Sequence, residues 1–197
     1  MNPQIEKIQI RDIERREFGF ELDAKSTRSG KAPFIRKLSF KSINDIEKFI
    51  AEKKPTNSYV SVAYWAHPQF ACSPSGEGGW EGADYFVDID YENNMKKAKV
   101  EAQIAQWVMT EKLGIAQESI EIYFSGCKGY HVVAYNQSHE YDGKTLKMNE
   151  RKVLANYFVK LGVNHLDKVA FCNIHGLRRI PGTVNSKSGK LCRRCEV

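Results

Sequence analysis

The chain has 197 residues, 42% of them hydrophobic, which is enough for one substantial core or for two small lobes that share a cleft. No apolar run approaches the roughly 18 to 20 residues of a membrane helix, and residues 1–4 do not resemble a signal peptide, so we expect a soluble intracellular protein, cytoplasmic or nucleoid-associated, with no membrane partner. Five cysteines in uneven positions predict reduced thiols. We expect residues 1–197 to form a single domain.

The net charge of +6 is divided unevenly along the chain. Residues 125–197 contain 13 Lys and Arg against 5 Asp and Glu, whereas residues 1–124 contain 17 against 19. A basic half joined to a half with a carboxylate cluster suits a protein that binds a polyanion while it coordinates metal. Basic composition alone is weak support, because many soluble proteins are equally basic and bind no nucleic acid.

The first part of the chain predicts strands around one helix. Alternation of apolar and polar residues predicts strands over 16–22 and 34–40, with a turn-rich basic loop over 26–33 between them. Ser42 and Asp45 predict the capping box of a helix that runs to about Lys53. A further strand is expected over residues 58–64, and a loop rich in glycine and serine then leads to residues 84–90.

Residues 84–90, with the sequence Asp-Tyr-Phe-Val-Asp-Ile-Asp, predict the strand around which the chain is organised. Alternate residues of a strand point the same way, so Asp88 and Asp90 share one face while Val87 and Ile89 face the interior. Two neighbouring ionised carboxylates repel each other unless a cation lies between them, and Mg²⁺ or Mn²⁺ prefers such oxygen ligands. The alternative is a solvated Asp pair without function.

The second part predicts helices on either side of a hairpin. Strands over 120–124 and 131–135 form this hairpin around residues 125–129. Asn93 or Asn94 is expected to cap a helix that ends at Gly114 and turns inward the apolar residues Val100, Ile104, Trp107 and Val108. A second helix opens at Asn149 and is expected to bury Val153, Leu154, Tyr157, Phe158 and Leu161. The whole pattern predicts a mixed α/β or α+β fold.

The hairpin sequence Ser125-Gly-Cys-Lys-Gly-Tyr-His131 suits phosphate binding. Its glycines allow backbone N–H groups to approach an anion, Ser125 adds a hydroxyl donor, and Lys128 adds a charge. His131 can donate a further hydrogen bond. The alternative is an ordinary glycine-rich hairpin with a satisfied histidine.

Two later stretches extend the candidate site. Asp167 is expected to begin a strand beside the strand of Asp88, where a third carboxylate would complete a cage for two metal ions, although an Asp in this position is more often a cap. The sequence Arg178-Arg-Ile-Pro-Gly-Thr-Val-Asn-Ser-Lys-Ser-Gly189 provides two arginines and Lys187 for a triphosphate or for a nucleic-acid backbone.

The cysteines near the end of the chain suggest a weaker alternative. Cys192 and Cys195 have half of the spacing of a zinc knuckle, and Cys172 with His175 could close the site. The position of His175 argues against zinc, because this residue lies inside the third motif, which runs from Leu166 to Gly189 and already constrains its direction.

Taken in order, these stretches resemble the archaeo-eukaryotic primase superfamily, in particular the catalytic small subunit of archaeal and eukaryotic DNA primases. The family pattern is a strand hhhDhD, where h is hydrophobic, a hairpin S-G-x-x-G-h-H, and L-D-x-x-V followed by R-x-P and K-[TS]-G. This chain matches at Tyr85-Phe-Val-Asp-Ile-Asp90, at Ser125 to His131, at Leu166-Asp-Lys-Val, at Arg179-Ile-Pro181 and at Lys187-Ser-Gly189. The resemblance covers about residues 10–190.

The resemblance implies a mixed α/β core with an RRM-like half and an active site in the cleft between two sheets. By resemblance, two Mg²⁺ or Mn²⁺ ions would be held by Asp88, Asp90 and Asp167, and the triphosphate would be bound by Ser125, Lys128, His131, Arg179, Lys187 and Arg36. A 3′-hydroxyl would attack the α-phosphate with loss of pyrophosphate. The implied partners are a single-stranded DNA template and NTPs or dNTPs, with a primase large subunit or a helicase left open.

The chain also departs from the family pattern. Cys127 stands where many members have Arg, and Asn185 stands where many have His. Residues 91–114 contain no Cys or His, so the zinc-binding insertion common after the D-x-D strand is missing. Two other functions remain open: a primer-extending polymerase of the same superfamily, used in repair, end joining or damage bypass, and a non-catalytic RRM-like module that stacks bases on Tyr123 or Tyr135.

Overall fold

The computed structural model describes residues 7–23, 32–92, 94–135 and 148–195; most of the predicted basic loop and the candidate cap Asn93 lie outside these ranges. The strands are β1 (Phe18–Glu21), β2 (Phe34–Leu38), β3 (Asn57–Ser61), β4 (Ala63–Trp65), β5 (Trp80–Ala83), β6 (Tyr85–Asp90), β7 (Ile120–Phe124), β8 (Gly129–Ala134), β9 (Leu177–Arg179) and β10 (Arg193–Arg194). The helices are α1 (Ile43–Lys53), α2 (Met95–Trp107), α3 (Met148–Lys160) and α4 (Lys168–Cys172).

Two four-stranded antiparallel sheets form the framework. The first has the strand order β2-β1-β3-β9 and the second has β10-β7-β8-β6, while β4 and β5 form a separate pair. The first sheet therefore takes β9 from the chain that follows strands β6, β7 and β8 of the second sheet. The predicted mixed α/β fold is confirmed. Among the described residues, none of the helices combines the length and the apolar character needed to cross a lipid bilayer.

Helix α1 forms as its sequence predicts. Ser42 Oγ accepts a hydrogen bond from the Asp45 backbone N–H at 3.2 Å and donates one to Asp45 Oδ2 at 2.8 Å. A cap of this kind is worth about 1 kcal/mol. Ile46 and Ile50 are buried in the core of the first sheet, so the cap also fixes the face that α1 presents to this core.

Strand β6, which carries Asp88 and Asp90, lies at the edge of the second sheet and pairs along its whole length with β8. The pairing places Asp88 opposite His131 and Asp90 opposite Gly129. A Cβ at Gly129 would lie 1.8 Å from the Ile89 carbonyl oxygen, so only glycine allows the two strands to approach this closely. The glycine that the phosphate-loop pattern singled out therefore also has a structural reason.

The predicted inward face of α2 is wrong in part: Val108 is buried and Ile104 packs against the core, as expected. Val100 is 53% and Trp107 is 43% exposed, whereas Ala98, Ala102 and Ala105 are fully buried. Small side chains let the helix lie close to the sheet, and this close approach outweighs the burial of larger residues. Asn94 caps the helix by accepting from the Lys97 N–H at 3.1 Å, and after Trp107 the chain continues as a π-helical turn over Val108–Lys112.

The predicted inward face of α3 is wrong in part. Phe158 is buried as expected, but Val153 is 72% exposed and Tyr157 is also exposed. Arg151 is buried in place of Val153, because its guanidinium donates to the carbonyls of Ala83 and Asp84 at 2.9 Å. The periodicity of apolar residues in a sequence does not reveal a buried arginine that donates to backbone carbonyls.

Candidate active site

A cavity of about 360 Å³ separates the two sheets. Its acidic wall carries Asp88 and Asp90 of β6, and the opposite wall is built from β3, β9 and the loop that contains Lys187. The hairpin between β7 and β8 contributes Ser125, Lys128 and His131. The expected position of the site, in a cleft between two sheets, is therefore what the fold provides.

Asp88 and Asp90 lie on one face of β6, as the alternation predicts. Val87 and Ile89 are fully buried, whereas the side chains of Asp88 and Asp90 are 23% and 44% exposed toward the cleft. The ammonium group of Lys128 lies 3.1 Å from Asp90 Oδ2. The hairpin lysine is therefore placed directly beside the acidic pair.

The carboxylate of Asp88 is in an unfavourable environment. Burial, followed by the charges of Asp90 and Asp167, raises the pKa of Asp88 to about 7. Its Oδ1 is buried without a hydrogen-bond partner. An oxygen of this kind costs free energy unless a cation or a donor reaches it, so the site fits a divalent metal ion held by Asp88 and Asp90.

His131 is a neutral neighbour of this pair. Its Nε2 lies 3.6 Å from Asp88 Oδ1, but burial, with the charges of Arg178 and Arg179, lowers the pKa of His131 to about 3. The contact is therefore not an ion pair at neutral pH. A neutral imidazole can still donate one hydrogen bond into the cleft.

Asp167 lies beside the acidic strand, but its secondary structure differs from the prediction. Its backbone N–H donates to the Asp88 carbonyl at 2.8 Å, and Leu166 forms an isolated bridge with Ile89. Asp167 is the N-cap of α4 and does not begin a strand, because its Oδ1 accepts from the N–H groups of Val169 and Ala170 at 2.9 Å. Among the described residues, no group of three or more His, Cys, Asp and Glu is arranged to hold a metal, so the three carboxylates do not form a ready-made cage.

A cluster that sequence reasoning missed holds this segment in place. Glu101 of α2 accepts from the His165 backbone N–H at 2.7 Å, and its other oxygen lies 2.9 Å from His165 Nδ1. The His165 ring in turn packs on Tyr91 with a centroid distance of 3.8 Å. Glu101 thus holds His165, which lies two residues before Asp167, and His165 in turn contacts Tyr91, which follows Asp90. A glutamate on a predicted helix gives no sequence signal for this role.

Ser125 shapes the hairpin as well as lining the cleft. Its hydroxyl oxygen accepts from the Gly129 N–H at 3.2 Å, which closes the turn. Gly126 has φ of 86°, a conformation that favours glycine, and Ser188 Oγ donates to the Gly126 carbonyl. The hairpin is thereby tied to the loop that carries Lys187.

The basic wall is held by acceptors of the protein itself. Arg179 Nη1 donates to Asn57 Oδ1 at 2.7 Å and to the Val184 carbonyl at 3.2 Å. Asn57 Oδ1 also accepts from the Ser186 N–H at 3.1 Å. Asn57 of β3 therefore fixes both strand β9 and the loop that contains Lys187.

Arg36 is not among the residues that line the cleft. Its guanidinium forms a bidentate contact with Glu17, with both distances 2.9 Å. The structure therefore brings together Ser125, Lys128, His131, Arg179 and Lys187, and leaves Arg36 on a different part of the first sheet.

The four candidate zinc ligands do not converge. Cys172 belongs to the core beneath the second sheet, whereas Cys192 belongs to a different apolar cluster, and burial raises the pKa of Cys192 to about 12. The His175 ring stacks on Trp65 at 5.4 Å. Among the described residues, no three His, Cys, Asp or Glu side chains are arranged to hold a metal ion, so the zinc alternative is wrong for this structure.

The two tyrosines proposed for base stacking are buried. Tyr123 is 1% and Tyr135 is 3% exposed, and their hydroxyl groups lie 2.8 Å apart. Neither ring can stack on a base in this arrangement, so the base-stacking role suggested for them is wrong.

Comparison with known proteins gives three results. No protein-family model matches the chain. The DNA primase small subunit PriS of Pyrobaculum islandicum is 26% identical over 239 aligned positions, covering 94% of this chain and 72% of that protein. The corresponding protein of Methanocorpusculum labreanum is 31% identical over 128 positions, covering 61% of this chain and 32% of that protein. The first alignment is longer than this chain, so the relative contains insertions that this chain lacks.

A solved structure, the polymerase domain of Mycobacterium tuberculosis ligase D in complex with DNA, shares the fold. It aligns with a TM-score of 0.61 and 14% identity over 93% of this chain and 74% of that chain. The relatives named as primase small subunits, together with the fold shared with a polymerase domain, support a nucleotidyltransferase of the primase and polymerase type. The chain is similar over most of its length to the DNA primase small subunits of several archaea.

Proposed function

We propose that this primase-type nucleotidyltransferase synthesises short primers on a single-stranded DNA template, with NTPs or dNTPs as substrates. The observation that carries the proposal is the opposition of Asp88 and Asp90 on β6 to Arg179 and Lys187 on the other wall of one cavity. Such a cleft suits a metal ion and a polyphosphate side by side. An activity on DNA implies action in the cytoplasm or at the nucleoid.

The acidic wall would hold the metal. Asp88 and Asp90 are the proposed ligands of Mg²⁺ or Mn²⁺, and Asp167 is the proposed third carboxylate for a two-ion site. The buried Asp88 Oδ1 without a partner supports a cation at this position. The oxygen of Asp167 that caps α4 is engaged by the backbone, so its other oxygen is the proposed ligand. When bound, the metal supplies charge neutralisation at the phosphates and the attacking hydroxyl.

The opposite wall and the hairpin would hold the nucleotide. Lys128, Arg179 and Lys187 are the proposed binding groups for phosphate oxygens, and neutral His131 donates a hydrogen bond to the same group. Ser125 acts mainly through the shape of the hairpin. The 3′-hydroxyl of the initiating nucleotide or of the growing primer loses its proton to water and forms a bond to the α-phosphorus, and the bond from that phosphorus to the β-phosphate oxygen breaks as pyrophosphate leaves. The residues act by positioning and by charge, and no covalent enzyme intermediate is needed.

The test is primer synthesis on single-stranded DNA by wild-type protein and by the double variant Asp88→Ala, Asp90→Ala. We expect the double variant to lose synthesis while its affinity for single-stranded DNA stays within a factor of about two. Glu92→Gln is the matched control, because Glu92 lies 3.8 Å from Lys128 but is 82% exposed. Equal synthesis by the double variant and by the wild-type protein would contradict the proposal.

A second candidate function is extension of an existing primer. The likeness to a polymerase domain solved in complex with DNA favours it. Parallel assays with and without an annealed primer separate the two functions. Product only in the presence of a primer would replace the priming proposal by extension. A large subunit or a helicase as partner stays a prediction from the resemblance.

A further inference from the structure

Among the described residues, three arginine side chains are almost completely buried, and two of them donate to several acceptors of the protein. Arg16 forms an ion pair with Asp84 at 2.8 Å and donates to the carbonyls of Ser61 and Val62 at 3.0 Å. Arg151 donates to three backbone carbonyls, as described for α3, including that of Phe171 at 3.4 Å. The structure accounts for both charges by contacts within the protein.

Arg178 is the third, and its contacts are poorer. Its Nη2 donates one long hydrogen bond of 3.4 Å to the Tyr135 hydroxyl, and its Nε is buried without a hydrogen-bond partner. Burial opposes the charge, but Tyr135 and then Asp84 raise the pKa of Arg178 above its ordinary value. The guanidinium is therefore charged while it lacks part of the hydrogen bonding that a buried cation needs.

Asp84 is a carboxylate whose charge influences both Arg178 and Arg151, and it forms the ion pair with Arg16. Three buried guanidinium groups therefore lie around the same carboxylate. A bound anion that accepts from the buried Nε of Arg178 would complete the hydrogen bonding of this side chain.

The orientation of Arg178 is fixed from behind the cleft. Tyr135 is hydrogen-bonded to Tyr123 at 2.8 Å, and Tyr123 donates to Glu121. Arg178 itself lines the cavity together with Asp88, His131 and Arg179. The buried network therefore fixes the orientation of a side chain that lines the proposed nucleotide site.

We propose that Arg178 is an anion-binding residue for the polyphosphate of the incoming nucleotide. The inference deepens the proposed function and rests on it for the identity of the anion. Lys128, Arg179 and Lys187 line the same cavity, so four cations surround a volume that suits a compact polyphosphate. Backbone phosphates of DNA are the other source of this chemistry, and the experiment separates the two.

The experiment measures thermal unfolding and ligand affinity for wild type, Arg178→Met and Arg178→Lys. The probes are inorganic tripolyphosphate and dTTP, each with EDTA present so that no metal contributes, and a single-stranded oligonucleotide. We expect Arg178→Met to lower the affinity for tripolyphosphate and dTTP about tenfold or more, Arg178→Lys to lower it less, and the oligonucleotide affinity to stay within about twofold.

The melting temperature without ligand distinguishes binding from support of the fold. Removing a poorly compensated buried charge should leave the melting temperature of Arg178→Met equal to or above that of the wild-type protein. Arg151→Met is the matched control, and it should lower the melting temperature because three carbonyls lose their donor.

Three results would overturn the assignment. The first is a fall in melting temperature for Arg178→Met like that of Arg151→Met, including failure of Arg178→Met to fold. The second is unchanged tripolyphosphate affinity, and the third is a loss confined to the oligonucleotide, which would point to backbone phosphates. Primer synthesis by the wild-type protein is scored separately, so a failed activity assay with intact Arg178-dependent binding would reject the proposed function alone.

Discussion

The two walls of the cleft differ in how completely their polar groups are satisfied. On the acidic wall, Asp88 keeps a buried oxygen without a partner and shares its surroundings with other carboxylates. On the basic wall, Arg179 is held by Asn57 and by a backbone carbonyl. The acidic wall thus keeps an unsatisfied oxygen at Asp88, although Lys128 lies beside Asp90, whereas Arg179 on the basic wall is held by contacts within the protein.

The largest loss of stability and of activity is expected from a substitution where β6, the strand of the acidic wall, pairs with β8. Gly129→Ala would place a methyl group 1.8 Å from the Ile89 carbonyl and separate the two strands that carry the site. We expect the free energy of unfolding to fall by more than about 3 kcal/mol, with loss of synthesis. Chemical denaturation measures the change.

Gly114→Ala is the control for this prediction. Its φ of 66° is strained for alanine, but no atom lies within 4 Å of the added Cβ. We expect a loss of about 1 kcal/mol from backbone strain alone. Similar losses for the two variants would show that the contact between β6 and β8 is not the cause.

A smaller effect is expected from the support of the acidic wall by α2. Glu101→Ala leaves the His165 N–H without its acceptor, which should lower the free energy of unfolding by about 1 to 3 kcal/mol. Because the segment of Asp167 is then less well held, we expect kcat to fall about tenfold with little change in the KM for DNA. The exposed Glu111→Ala is the control, and equal kcat values for these two variants would remove the positioning role of Glu101.

A substitution that loosens the basic wall is expected to change the KM for nucleotide more than kcat. Asn57→Ala removes the acceptor shared by Arg179 and Ser186, so the groups that bind phosphate lose their fixed position. We expect the KM for nucleotide to rise about three- to tenfold while kcat changes less than twofold. Asn156→Ala on the outer face of α3 is the control. A change in kcat alone would contradict preorganisation of this wall.

The smallest effect concerns the network behind the basic wall. Glu121 is buried, but hydrogen bonds from Tyr123 and Arg11 outweigh that burial and lower the pKa of its carboxyl. A depressed folded-state pKa gives stability that is present above the ordinary value of 4.5 and is lost as pH falls through the folded-state value. Glu121→Gln should therefore be less stable than wild type by about 1 kcal/mol at pH 7.

Acidification should bring the two proteins together. Below pH 4.5 we expect their unfolding free energies to converge as Glu121 becomes protonated. Urea titrations at several pH values measure the difference, and a difference that is constant down to the lowest pH would contradict the role of the Glu121 charge.

The features predicted correctly from the sequence are local ones. The alternation around Asp88, the cap of α1 and the turn between β7 and β8 depend on neighbours within a few residues. The motif order also predicted the approach of Asp167 to β6, through the family resemblance. The predictions that were wrong concern features that depend on the tertiary structure. Helix α2 buries alanines because it packs closely on the sheet, and α3 buries Arg151. Asp167 caps α4, a helix too short to be predicted from its sequence.

The pairing of strands that are distant in the sequence could not be predicted from local sequence patterns either. No pattern in β3 indicates that it pairs with β9, and Asn57 acquires a role only because this pairing brings Arg179 to it. The buried positions of Tyr123 and Tyr135 follow from a hydrogen-bonded network that includes Glu121 and Arg178. Such networks leave no periodic signal, because their members lie on different strands.

The place of β9 in the first sheet has a consequence for biosynthesis. Asn57 and Arg179 are 122 residues apart, so strands β4 to β8 are synthesised before this sheet can acquire β9. Closing so long a loop delays folding, and a nascent chain exposes the edge of β3 until then. The basic wall of the cleft therefore forms only after the acidic strand has already been translated.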